Sequence, residues 1–78
     1  MSRLYKVLAR VLKVDEKEIN DNSSPETISS WDSFNGLLLV DELEKEFSVS
    51  FTMEEIMDVK DINDIKRHLR NHKANPDE

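Results

Sequence analysis

The chain has 78 residues, no cysteine and a net charge of −6, and 37% of its residues are hydrophobic. That length allows one small domain whose core forms without disulfides or thiolate-bound metal, and nothing in it points to an oxidising compartment. No apolar run approaches the ~20 residues of a membrane span or the h-region of a secretory signal, so a soluble, cytoplasmic protein with no membrane partner is expected.

Residues 3–14 place Leu4, Val7, Leu8, Val11 and Leu12 at the i, i+3, i+4, i+7, i+8 spacing of a core-facing helix, with Lys6, Arg10 and Lys13 opposite. Residues 2–14 are also basic and free of acids, as organellar presequences are. The chain has few apolar residues to spare, so a first core helix is the better reading. Residues 15–32 lack periodicity, contain Pro25 and are rich in Asp, Asn and Ser. They read as a long loop, and Ile19, Ile28 and Trp31 are its expected apolar pins.

The second helix is expected over residues 33–47, with Asp32 as N-cap. Thr52-Met53-Glu54-Glu55 is a capping-box pattern that opens a short third helix ending near Asp58. Asp61 caps a fourth helix whose inward face is Ile62, Ile65 and Leu69, while Lys66, Arg67 and Arg70 suit its C-terminal half. These elements predict an all-α fold, a four-helix bundle with a long first loop and a short third helix. The expected domain is residues 1–72, followed by a flexible tail at 73–78.

Charge is segregated along the chain. Residues 15–64 carry fifteen acids against Lys17, Lys45 and Lys60, whereas residues 1–14 carry only bases. An anionic middle repels nucleic acid and steers encounters toward proteins with basic patches. The same acids would also serve solubility alone.

The helix over residues 33–47 carries apolar residues on two sides. At about 100° per residue, Leu39, Leu43, Gly36, Phe47 and Val40 share one arc of about 100°. Phe34, Leu37 and Leu38 fall roughly opposite, near Asp41. Either a neighbouring element covers this second arc, or it is a docking surface rimmed by Asp41 and Glu44. Ser33 lies at its edge in the first helical turn, where free N–H groups and the positive dipole end favour a phosphate ester.

Other candidates carry less. His68 and His72 have the i, i+4 spacing of a metal pair but lack a third ligand nearby, so no metal is expected and both histidines are expected to face solvent. No segment matches a calcium-binding EF-hand loop. Gly36 reads as a site of close helix packing. With no cysteine and no evident partner for either histidine, an enzyme is not expected.

Asp32-Ser33-Phe34, followed by Leu37, Leu39, Val40, Leu43, Glu44 and Phe47, resembles the Asp-Ser-Leu segment of acyl carrier proteins, in which the serine bears 4′-phosphopantetheine. The resemblance covers nearly the whole chain, through Val49-Ser50-Phe51 and the two helices that follow. It implies Ser33 as the attachment site and Asp32 as its partner in recognition by a phosphopantetheinyl transferase. It further implies a docking face of Phe34, Leu37, Leu38, Asp41, Glu42 and Glu44 for an acyl or aminoacyl ligase and other pathway enzymes. Phe34 replaces the commonest leucine, as in D-alanyl carrier proteins; Leu38 replaces a usual glutamate, and Trp31 a small residue. The resemblance thus implies a monomeric acyl carrier dedicated to one biosynthetic pathway. The alternatives are an aminoacyl carrier, D-alanyl-like or peptidyl, and an unmodified helical interaction domain.

Overall fold

The computed structural model describes residues 3–76, which form four helices: α1 (Arg3–Leu12), α2 (Ser33–Phe47), α3 (Met53–Asp58) and α4 (Ile62–Asn71). There is no strand among the described residues, and the all-α reading holds.

Helix α1 turns Leu4, Val7, Leu8 and Leu12 into the core and packs chiefly on α2. Val11 sits at the margin of that stripe, partly buried. The helix ends two residues before the expected position. Lys13 adopts a left-handed conformation (φ 56°), and the Val14 N–H returns to the Ala9 carbonyl at 3.2 Å, an ending that satisfies carbonyls the last turn would otherwise leave open.

The long loop is ordered by its own side chains. Ile19, Ile28 and Trp31 are buried, as their isolation among polar residues predicts. Asp15 caps a single 3-10 turn at Glu16–Glu18 by accepting from the Lys17 N–H at 3.0 Å. Buried Ser23 accepts from the Asn20 N–H at 3.0 Å, and the Ser30 hydroxyl donates to the Leu12 carbonyl at 2.6 Å. The loop also completes α4, because the Ser23 and Asp21 carbonyls accept from the N–H groups of Ile62 and Asn63 at 3.1 and 3.0 Å. Those two donors lie in the first turn, where no intrahelical acceptor exists. Asp21 further accepts from the Tyr5 hydroxyl and pairs with Lys66 at 2.8 Å, so one carboxylate links α1, the loop and α4.

Helix α2 begins where Asp32 accepts from the Asn35 N–H at 2.9 Å and ends at Ser48, left-handed at φ 55°. Leu39, Leu43 and Phe47 are buried, while Gly36 and Val40 are half-buried beside them. A Cβ placed on Gly36 would meet Trp31 at 3.7 Å, ordinary van der Waals contact. The glycine is therefore not demanded by close packing, contrary to the sequence reading.

Helix α3 carries both halves of its capping box: Thr52 Oγ1 accepts from the Glu55 N–H at 3.1 Å, and Glu55 Oε1 from the Thr52 N–H at 2.9 Å. None of its six residues is fully buried. Helix α4, capped by Asp61, turns Ile62, Ile65 and Leu69 inward, and His68 with them. Of the segment expected as a tail, residues 73–76 fold back: the Ala74 N–H donates to the Leu69 carbonyl at 2.9 Å and Pro76 is buried. Asp77 and Glu78 lie outside the described residues. Among the described residues no helix is long and apolar enough to cross a membrane.

Candidate functional site

Ser33 is exposed and is the first residue of α2. The preceding Asp32, also exposed, spends one carboxylate oxygen on the Asn35 N–H, so it fixes where the helix starts and places a negative charge next to the hydroxyl. Asn35 adds a second tie, its side-chain amide donating to the Ser30 carbonyl at 2.7 Å. Together these bonds hold Ser33 on a rigid step between the loop and α2.

A cavity of about 180 Å³ opens beside Ser33, walled by α2, α3 and α4. Gly36, Leu37 and Val40 supply the α2 side, Ile56 the α3 side, and Ile65 and His68 the α4 side. Gly36 belongs to this wall. A side chain there would project between Trp31 and the cavity rather than into another helix.

The exposed side of α2 carries the apolar residues that did not fit the core. Phe34 is 70%, Leu37 63% and Leu38 42% exposed, so neither the loop nor α3 covers that arc. Met53 and Met57, one turn apart on α3, are exposed as well; their spacing is visible in the sequence, but the short helix gave no face to assign them to. The three acids of the expected rim are not equivalent. Asp41 is exposed and pairs only with Lys45 on its own helix at 3.1 Å. Glu42 reaches across to Arg10 of α1 at 3.2 Å. Glu44 accepts from the Phe51 N–H at 2.8 Å, which fastens the connection to α3.

The histidines depart most from expectation. His68 is 6% exposed and His72 half-buried, because carboxylates of α3 bind both rings. His68 Nε2 lies 3.1 Å from Asp58 Oδ2, and His72 Nε2 lies 2.9 Å from Glu55 Oε2. Phe51 packs edge-on against the His72 ring, their centroids 5.3 Å apart. The Arg67 guanidinium, 2.6 Å from Asp58, holds that carboxyl below its ordinary range, with His68 assisting. Glu55 is likewise lowered, first by the Thr52 N–H and then by His72. These contacts, not buried apolar residues, attach most of α3 to α4. Among the described residues no group of three or more His, Asp or Glu side chains is placed to hold a metal ion.

A family model described as "Phosphopantetheine attachment site" matches residues 2–69, most of the chain. No curated protein matches it. A domain of this family carries covalently attached 4′-phosphopantetheine, and the geometry accommodates such a group: an exposed hydroxyl at the N-terminal end of a 15-residue helix, beside an open cavity.

Proposed function

The chain belongs to the phosphopantetheine attachment-site family, and from that premise we propose that it is an acyl carrier protein whose arm is attached to Ser33. The reading rests on one observation: Ser33 is the exposed hydroxyl that stands both on the capped start of α2 and at the mouth of the cavity. The arm supplies a thiol that holds the cargo as a thioester, while the protein positions it and catalyses nothing itself. Asp32 takes part in recognition by the phosphopantetheinyl transferase. A long arm visits several enzymes in turn, and a small charged monomer is a sufficient handle for it.

Docking falls to the exposed side of α2, with Phe34, Leu37 and Leu38 as apolar contacts and Asp41 as the acid free to face a basic partner. Glu42 and Glu44 contribute charge to that surface while also serving internal contacts. Leu38 in place of a carboxylate makes the face more apolar, which suits one dedicated pathway and its ligase. The setting is cytoplasmic.

Intact-mass measurement after incubation with coenzyme A and a broad-specificity transferase tests the assignment. Wild type takes up one arm and Ser33→Ala none. Modification of the alanine variant would move the site elsewhere, and an unmodified wild type would favour a helical interaction domain that never carries an arm.

A further inference from the structure

The walls of the cavity beside Ser33 are largely apolar, yet His68 is among them. Its Nε2 edge is turned to Asp58, which does not line the cavity, so the Nδ1 edge lies on the cavity side together with Glu55. Asp58, paired to Arg67, is a carboxylate and can only accept, so Nε2 carries a hydrogen. A neutral imidazole with hydrogen on Nε2 presents a bare lone pair at Nδ1. That nitrogen is buried and has no hydrogen-bond partner. Glu55 Oε2 stands 3.6 Å away, beyond hydrogen-bond range, and is already bound to His72. It is an acceptor too, so it cannot satisfy the lone pair of a neutral ring.

An unpaired buried acceptor next to an open cavity is a costly arrangement unless a ligand completes it. The space is limited: an apolar cavity of ~150 Å³ holds benzene, so this one takes roughly six or seven non-hydrogen atoms. We propose that the cavity receives a short chain bearing one hydrogen-bond donor, a hydroxyl or an N–H, and seats that donor on His68 Nδ1. The proposal rests on the carrier reading and specifies what the carrier holds. A purely hydrocarbon cargo of the same size would leave the nitrogen unpaired, a disadvantage of about fivefold, the worth of one net hydrogen bond. Two sources supply such a donor, the cargo itself and the amides and hydroxyl of the pantetheine arm.

The test uses the wild-type protein, ¹⁵N-labelled, in the unmodified, holo, butyryl and 3-hydroxybutyryl forms. A broad-specificity transferase makes the last three from the matching coenzyme A derivatives, and intact mass records loading. Long-range ¹H–¹⁵N spectra are expected to show His68 with hydrogen on Nε2 and a bare Nδ1 in the unmodified protein. Nδ1 then moves upfield in the 3-hydroxybutyryl form but not in the butyryl form. An equal movement in the holo form assigns the donor to the arm instead of the cargo, and the seat on His68 stands. Where the cargo is the source, hydroxylamine cleaves the 3-hydroxybutyryl thioester about fivefold more slowly than the butyryl one, relative to the same pair on His68→Phe. The wild-type spectra decide alone should that variant fail to fold. Loading with Nδ1 unmoved in every form, or an Nδ1 already protonated in the unmodified protein, overturns the proposal and leaves the carrier reading intact. Failure of wild type to load overturns both.

Discussion

Leu37, Leu38 and Leu39 follow one another on α2 but are 63%, 42% and 2% exposed. Full burial of a leucine side chain stabilises by about 2 kcal/mol, so these burial fractions correspond to roughly 0.7, 1.2 and 2 kcal/mol of removed contact. At Leu39 the truncation also opens a void in the core, which raises Leu39→Ala to about 2–5 kcal/mol. A chain of this size has a total stability of about 4–12 kcal/mol, so that single change removes a large share of it. Leu37→Ala and Leu38→Ala should each cost about 1 kcal/mol or less. Urea melts of the three variants measure the series, and an unchanged slope shows that the two-state comparison is sound. A loss at Leu37 or Leu38 as large as at Leu39 would mean that the outer side of α2 is core, and the docking face would have to be abandoned.

Gly36→Ala should raise stability by about 0.5–1 kcal/mol through helix propensity, since the added Cβ meets Trp31 only at 3.7 Å; a melt showing a loss would mean that the packing there is tighter than described. Glu55 and Asp58 both titrate below their ordinary values, so their share of stability is present at neutral pH and disappears as the pH falls through the lowered folded-state values. Amide exchange in α3 should therefore speed up on acidification before that of α1 and α2, and simultaneous loss in all helices would contradict the ionic attachment of α3. Asp41→Lys should slow cargo loading at low salt by more than Glu18→Lys, which makes the same change of charge in the distant loop, and the gap should narrow as salt is added. Equal slowing by both would show that only the overall field matters.

Much of this arrangement is visible in the residues alone because its determinants are local. Asp32, Asp61 and the Thr52–Glu55 pair each mark a helix start within three residues of themselves, and all three caps are formed. Ile19, Ile28 and Trp31 stand out against a polar loop, which is why their burial could be foreseen. The left-handed Lys13 could not, since nothing in its side chain favours that conformation over another helical residue. His68 was misjudged for a different reason. It lies three residues after Ile65, on the inward stripe, but histidine is not counted as apolar when a stripe is traced. Its partner Asp58 is ten residues away on another helix, beyond any short-range pattern. Glu44 likewise looked like surface charge because its acceptor role toward the Phe51 N–H depends on how the α2–α3 connection bends. The cavity belongs to three helices at once and has no signature in any one of them.

Trp31 is the chain's single tryptophan, buried against the loop yet forming part of the wall of the space beside Ser33. Its indole is consequently an intrinsic optical probe at the one place where occupancy matters. Ultraviolet excitation interrogates this wall and no other part of the molecule, so filling the space, emptying it, or withdrawing α3 from it each changes the polarity that one fluorophore senses. The protein can be followed through modification, loading and release by its own emission, with no dye attached to the surface that partners must touch.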